Sequence, residues 1–330
     1  SSLFRKDKRW GYFPAAALAW KLKEESFLKN VSLVNDAKIR IGYGKTGQQN
    51  ITDAVGFYPS TPLFAIGSNS SQYLSGTNLY SAIAFNPDLT WEKTTTYNLG
   101  IDFDLFKNSF LSGSFDIYQR KTTDLLARVA LPPGQGLSDS FVKNVGVTEG
   151  KGFELNLNIK PFKTDNTSFE ITSNLAYNYT KVTDLNDVSQ ITAFESGIGT
   201  QTGVFLARHA VGFQPYSAWV FQQLYSPDGS LIPGAFVDRN DDGVITNDDR
   251  YYKALRPNWT FGFGFNFNYK NWDFSSNFRG QIGGQTYNQR KMSLGWVDAT
   301  LPVNTNSLSN VLNFYGGEAD SSIQNIQGNV

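Results

Sequence analysis

The stretch W-T-F-G-F-G-F-N-F-N-Y-K-N-W-D-F-S-S-N-F, residues 259–278, decides the fold of this chain. Every second residue from Trp259 to Tyr269 is aromatic, and small or polar residues stand between them. A period of two indicates an extended strand with two different faces. The pattern resumes at Trp272 after Lys270 and Asn271, and a two-residue turn pairs residues three apart on the same face. The stretch therefore predicts a β-hairpin whose aromatic face continues through its turn.

A hairpin with one aromatic face suits two architectures. In a soluble β-sandwich the apolar face packs in the core and the polar face meets water. In a transmembrane barrel the apolar face contacts lipid and the polar face lines a lumen. The hairpin alone does not distinguish them, so the choice depends on the rest of the chain.

The composition excludes several classes of function. The 330 residues include no Cys, one His (His209), and 29 basic against 29 acidic side chains. Zero net charge argues against a nucleic-acid partner, and the lack of Cys excludes disulfides and thiolate nucleophiles. No run approaches about 18 apolar residues, so no transmembrane helix is expected. An aromatic content of 15% with slightly negative mean hydropathy is typical of alternating strands with long polar loops.

Other segments repeat the alternation and predict about eight strands in four hairpins. The two strands near residues 97–117 both place their apolar side chains on odd numbers, so the turn between them must contain an odd number of residues. The apolar positions of these segments are Ile39, Ile41 and Tyr43; Tyr97, Leu99, Ile101, Phe103 and Leu105; Leu111, Phe115 and Ile117; Phe153, Leu155, Leu157 and Ile159; and Phe169, Ile171, Leu175, Tyr177 and Tyr179.

Short and long connections alternate along the chain. The short ones fall near residues 23–36, 106–109, 161–166 and 270–271, and the long ones span 46–90, 122–149, 181–256 and 284 onward. Short turns on one side and long loops on the other are typical of outer-membrane barrels. We therefore predict an all-β, transmembrane antiparallel β-barrel. Since an open set of strands would expose its edges to lipid, we expect these strands to be part of a larger barrel.

Two aromatic spacings predict the height of the apolar band. Trp10 and Trp20 are ten residues apart, as are Trp259 and Tyr269, and ten tilted strand residues span roughly 25 Å, the distance between aromatic girdles. With Trp272, these residues form the predicted lipid-facing girdle. The alternative is that the tryptophans are unrelated residues of a soluble core.

Seven segments match one protein family in order. They are R-W-G-Y-F-P (9–14), A-W-K-L-K-E-E-S-F-L (19–28), N-D-A-K-I-R-I-G-Y-G-K-T-G-Q-Q-N-I (35–51), N-P-D-L-T-W-E-K-T-T-T-Y-N-L-G-I-D-F (86–103), Y-Q-R-K-T-T-D-L-L (118–126), N-V-G-V-T-E-G-K-G-F-E-L (144–155) and V-D-R-N-D-D-G-V-I-T-N-D-D (237–249). In these segments the chain resembles the C-terminal part of the barrel of SusC/RagA-type TonB-dependent outer-membrane transporters.

The resemblance implies a multi-pass protein of the bacterial outer membrane with a barrel of about 22 strands. Residues 1–330 would be a portion of that barrel, with the N-terminal plug domain and the final strands outside this sequence, and residues 181–256 would be a long extracellular loop. It further implies active import of oligosaccharides or peptides, a SusD-like surface lipoprotein as lid, and energy from the TonB–ExbB–ExbD complex through the absent N-terminal part. Whether two transporter–lipoprotein pairs form a dimer stays open. The alternative is a passive porin or surface-adhesion barrel.

Residues 238–249 form a twelve-residue D-x-N-x-D-G loop. Its spacing places oxygen ligands on one concave side, and its glycine permits the sharp turn of a calcium loop. Its predicted Ca²⁺ ligands are Asp238, Asn240, Asp242, the Val244 carbonyl and Asp249. Asp249 stands where Glu is usual, so we expect weak affinity. The alternative is an acidic turn without metal.

Aromatic residues in the long loops are candidates for contacts with substrate or lid, namely Tyr216, Trp219, Tyr225 and Trp296. Aromatic faces could stack on sugar rings or hold apolar peptide side chains; packing within the loops is the alternative. No recognisable catalytic motif occurs, so we expect no enzyme.

Overall fold

The computed structural model describes residues 2–49, 58–66, 72–74, 77–78, 80–83, 85–130, 140–186, 190–192 and 207–288. Within these ranges the structure is almost entirely β. No helix there is long and apolar enough to cross a membrane. The short helical segments are the 3-10 turns Leu22–Glu24, Lys107–Ser109 and Asn247–Asp249 and a single α-helical turn, α1, Ser26–Lys29.

Eight strands form one antiparallel sheet in which spatial order follows chain order. This confirms the predicted all-β architecture and its four hairpins. The strands are β1 Ala15–Lys21, β2 Val34–Gln48, β3 Glu92–Leu105, β4 Leu111–Thr123, β5 Val147–Lys163, β6 Thr167–Asp184, β7 Trp259–Tyr269 and β8 Trp272–Ile282. Among the described residues β1 and β8 are the edges of the sheet, so these strands form an open wall.

The register joins the apolar positions of all eight strands into one face. A single row of directly paired residues crosses the sheet; its members on β1 to β4 and on β8 are exposed, and those on β5 to β7 are half-buried. The opposite face carries a matching polar row, because side chains alternate across each strand. The apolar row is Leu18, Ile41, Leu99, Ile117, Phe153, Tyr177, Trp259 and Ile282. The opposite row, on β2 to β8, is Arg40, Gly100, Asp116, Glu154, Ala176, Thr260 and Gln281, and all of these except Gly100 and Ala176 are polar.

The hairpin turns agree with the sequence pattern. Tyr269 pairs directly with Trp272 across a two-residue turn, in which Lys270 takes a left-handed φ of 50°. The turn between β3 and β4 contains five residues, from Phe106 to Phe110, because Leu105 pairs with Leu111. Five is odd, as predicted.

Trp10 does not lie on a strand, which corrects the predicted span from Trp10 to Trp20. β1 begins at Ala15, after Pro14. Pro14 has no amide hydrogen to donate to the ladder, and only its carbonyl takes part, accepting from Lys45. Phe13 instead packs edge-on against Trp91, with ring centroids 5.2 Å apart. The ten residues from Trp10 to Trp20 therefore do not form one strand, whereas β7 runs from Trp259 to Tyr269 as predicted.

The long connections contain short strands of their own. Four pairs form small hairpins: Leu63–Ile66 with Tyr80–Ile83, Gln72–Leu74 with Thr77–Asn78, Leu126–Ala130 with Ser140–Asn144, and Gln223–Tyr225 with Leu231–Phe236. One small sheet contains Gln190–Thr192, Ala207–Ala210, Ser217–Val220 and Tyr251–Lys253. The chain divides into two compact units: the eight-stranded sheet belongs to the first, and Tyr216–Arg256 to the second.

Candidate functional site

The apolar face exposes large side chains that a soluble sheet would bury. Phe263, Phe267 and Phe274 are 43%, 36% and 59% exposed. Their rings contact neighbours within the face, such as Phe265 and Phe274 at 5.7 Å between centroids. A contiguous exposed apolar patch of this kind marks an interaction surface, and alternation with a polar face fits a strand wall in lipid.

The predicted girdle residues lie at the two ends of the strands. Trp20 lies beside the turn after β1, and Tyr269 and Trp272 flank the turn after β7. Both turns are at the same end of the antiparallel strands. All three are exposed, and the Trp20 indole donates to Glu25 Oε1 at 2.8 Å. Trp259, at the opposite end of β7, is half-buried against Tyr177 with centroids 4.9 Å apart. Trp10 is 87% exposed in the segment before β1.

An ion network lies on the polar face of β2, β3 and β4. Arg40 Nη2 is 2.7 Å from Asp102 Oδ1 and 2.9 Å from Asp116 Oδ2, and Lys38 Nζ is 2.7 Å from Asp102 Oδ2. Gly100 makes room for it, because a Cβ there would lie 2.8 Å from Arg40 Nη2 and would also clash with Asp116. The sequence alone did not show that one guanidinium joins three strands.

A buried cluster joins the segment before β1 to the two long connections that follow β2 and β4. Phe4, Leu89 and Val142 are at most 5% exposed and pack with Trp91. Asn86 Nδ2 donates to the Val142 carbonyl at 3.0 Å, so the cluster is also held by a buried side-chain hydrogen bond. Sequence reasoning missed this cluster. The N-P-D-L-T-W signature, residues 86–91, was its only signal, and the structure explains that signature through packing.

The acidic loop folds around Asp238. Asp238 Oδ2 accepts from the Gly243 amide at 2.6 Å, where Gly243 has a φ of 82°. Asp242 Oδ1 accepts from the Val244 amide at 2.8 Å, and Asn240 Oδ1 accepts from the Asp242 amide at 3.2 Å. These side-chain to backbone hydrogen bonds hold the loop in a series of tight turns.

Asp249 closes the loop from within. It is fully buried, and its two oxygens accept from the backbone amides of Thr246 at 2.7 Å and Arg239 at 2.8 Å. These backbone hydrogen bonds lower the pKa of the Asp249 carboxyl because they stabilise its charged form, and the bond from Thr246 has the largest effect. Thr246 in turn caps the 3-10 turn Asn247–Asp249.

The fit of the loop to a cation rests on one atom. Asp238 Oδ1 is buried and has no hydrogen-bond partner in the described structure. A buried anionic oxygen in that position suits a metal ligand, because burying an unpaired charge is costly. The set is incomplete, since no group of three or more His, Cys, Asp or Glu side chains converges on a metal-sized site within the described ranges. Asp242 Oδ2 is also occupied, by Asn240 Nδ2 at 2.8 Å.

The loop aromatics have different surroundings. Tyr225 is 57% exposed, and Tyr216 lies beneath Arg256, whose Cζ is 5.2 Å from the ring centroid. Trp219 is half-buried and contacts two guanidinium groups, with Cζ of Arg208 at 3.6 Å and Cζ of Arg250 at 4.7 Å. Burial lowers the pKa of both arginines. Trp296 lies outside the described residues.

Sequence reasoning missed these arginines. Arg208 and Arg250 are 42 residues apart and carry no motif. The small sheet brings them together, because Arg208 pairs with Ser217 and strand Ser217–Val220 also pairs with Tyr251–Lys253.

The family model for "TonB dependent receptor-like, beta-barrel" matches residues 1–219. The TonB-dependent receptor SusC of Bacteroides thetaiotaomicron is 38% identical over 294 residues, which is 87% of this chain and 29% of that protein. TonB-dependent receptor P26 of Formosa agariphila is 32% identical over 301 residues, or 88% of this chain and 30% of that protein. The chain therefore spans about three-tenths of the length of these relatives, and they are receptors rather than enzymes.

Among solved structures, the RagAB peptide transporter matches with a TM-score of 0.72 at 22% identity, covering 89% of this chain and 32% of that one. The RagAB peptide importer in its open-open state matches with a TM-score of 0.69 at 23% identity. These likenesses support the same barrel fold.

Proposed function

The chain belongs to the TonB-dependent receptor-like β-barrel family of the outer membrane, and on that premise we propose that the transporter containing it actively imports oligosaccharides or peptides. The observation that carries the proposal is the two-faced sheet. One row of apolar residues crosses all eight strands, and a mostly polar row crosses β2 to β8 on the opposite face. Such a wall separates lipid from an aqueous lumen.

The partners follow from the same premise. We propose that a SusD-like surface lipoprotein covers the long-loop side and that the TonB–ExbB–ExbD complex supplies energy. The similarity to SusC and to the RagAB transporter supports a SusC-type assembly. A dimer of two transporter–lipoprotein pairs is part of the proposal.

The substrate class rests on the loop surface. Tyr225 offers an exposed aromatic ring, and exposed rings can stack on sugars or peptide side chains. RagAB, which shares the fold, is a peptide transporter. We therefore retain both oligosaccharides and peptides as substrates of the proposed importer.

The alternative is a passive porin or adhesion barrel, and reconstitution separates the two. The intact transporter is placed in liposomes, and swelling is followed in small neutral sugars. A plugged importer keeps the liposomes closed, whereas a porin lets them swell. In cells, uptake of its substrate stops when TonB is deleted. Rapid swelling together with TonB-independent uptake would overturn the proposal.

We also propose that residues 238–249 bind Ca²⁺ and so order the long loop. Asp238, Asn240, Asp242, the Val244 carbonyl and Asp249 would hold the ion. The buried Asp238 Oδ1 supports this assignment. Asn240 and Asp242 would have to exchange their mutual hydrogen bond for the ion. The ion would supply fixed positive charge that holds the loop together.

A further inference from the structure

Two like charges share one aromatic ring in the second unit. Arg208 and Arg250 both contact the Trp219 ring, and Arg250 also lies over Phe221, with Cζ 4.3 Å from that centroid. Phe221 itself stacks on Phe236, with centroids 4.9 Å apart. The two guanidinium groups are therefore held by a rigid aromatic support.

Stacking satisfies the faces of a guanidinium group but not its edges. The group carries five N–H donors in its plane. Contact with an aromatic face does not use these donors, so they need hydrogen-bond acceptors at the edge of the group. Arg250 makes no ion pair and no side-chain hydrogen bond within the described ranges, and its buried Nε has no acceptor there. By comparison, Arg239 in the same unit donates to Gln222 Oε1 at 2.7 Å.

The acidic residue nearest in sequence does not neutralise Arg250. The Asp249 carboxylate points into its own loop, where the Thr246 and Arg239 amides bind both its oxygens. Two cations that are partly removed from water, one of them without a counter-ion in the described structure, form a favourable place for an anion.

We propose that Arg208 and Arg250, held on Trp219, bind a carboxylate of the imported substrate. A planar carboxylate matches the fork of donors at the Arg250 edge. The class of ligand is then an acidic one, either a peptide with a free C-terminal carboxylate or an oligosaccharide with uronic acid units. The substrate role rests on the proposed function; binding of the anion itself does not.

The first test uses acetate and sulfate as probes of the intact transporter. Binding is followed as the difference in tryptophan emission between the wild type and Trp219→Phe. We expect a saturable change that Arg250→Gln weakens about tenfold or more. Arg256→Gln is the matched control, because Arg256 also lies over an aromatic ring, Tyr216, but does not contact Trp219. No saturable change with either probe, or equal losses in the two variants, would overturn the site.

The second test identifies the source of the carboxylate by calorimetry. One pair of ligands is a short peptide with a free C-terminus and its C-terminal amide; the other is trigalacturonate and maltotriose. The proposal predicts that the acidic member of one pair binds about tenfold more tightly and that Arg250→Gln removes the preference. Equal affinities within both pairs would contradict the substrate role. If the acidic ligand binds but is not taken up in a TonB-dependent way, the import function is rejected and the anion site stands.

Discussion

The Gly243 amide donates to one oxygen of Asp238 at 2.6 Å, while the other oxygen, Oδ1, is buried with no hydrogen-bond partner in the described structure. This relationship distinguishes the loop from an ordinary acidic turn, in which both carboxylate oxygens meet water or donors.

Asp238→Ala should abolish calcium binding by the intact transporter. In titration calorimetry we expect the wild type to bind Ca²⁺ with a dissociation constant of about 0.1–1 mM, the range of weak extracellular sites. Asp241→Ala is the control, because Asp241 lies in the same loop, is exposed and is not at a ligand position. Equal heats from the wild type and Asp238→Ala would reject the calcium site.

The order of the same loop should depend on acid pH through Asp249. Backbone hydrogen bonds lower its pKa in the folded loop, so its stabilising effect is complete above the unfolded value of about 3.9 and is lost as pH falls through the lower folded value. We expect protection of the Arg239 and Thr246 amides from hydrogen exchange to be constant from neutral pH to about 4, and to fall below it.

Asp249→Asn provides the control for that prediction. The uncharged amide has one acceptor oxygen instead of two, so protection should be lower at neutral pH and should no longer change with acid. If the variant and the wild type lose protection over the same pH range, another group controls the loop.

Gly100→Ala should weaken the sheet through the ion network. The new Cβ would displace Arg40 and Asp116, and because these side chains are partly exposed we expect a loss of roughly 1 kcal/mol in the free energy of unfolding. Gly44→Ala is the matched control. Gly44 lies in β2 on the face that carries Arg40, and no atom lies within 4 Å of the position that a Cβ would take there. Urea unfolding in lipid vesicles measures both. Equal stabilities would show that the network contributes nothing.

The strands could be predicted because alternation is a local signal. The pairing of Tyr269 with Trp272 follows from two residues of turn and a period of two, and the odd length of the turn after Leu105 follows from parity. Trp10 was misplaced because spacing alone does not show that Pro14 delays the start of β1.

The sites were harder to predict because they depend on contacts between distant segments. The acidic loop could be proposed as a calcium site from the sequence, since its oxygen and glycine positions lie within one short motif. The stacking of Arg208 and Arg250 on Trp219 depends on how three short strands pair, and the burial of Phe4 against Leu89 joins residues 85 positions apart. Neither arrangement leaves a periodic signal in the sequence.

The orientation of the sheet is the central claim, and Phe265 tests it directly. Phe265 lies on the apolar face, where it pairs with Ile171 and contacts the ring of Phe274, and Asn266 follows it on the polar face. The test compares Phe265→Arg and Asn266→Arg in the intact transporter. Heat-modifiable gel mobility measures insertion into the outer membrane, and urea unfolding measures the stability of the barrel. We predict that Phe265→Arg destabilises the barrel by roughly 2–4 kcal/mol, the cost of a cation facing lipid, while Asn266→Arg assembles like the wild type. Normal assembly of Phe265→Arg would contradict this orientation.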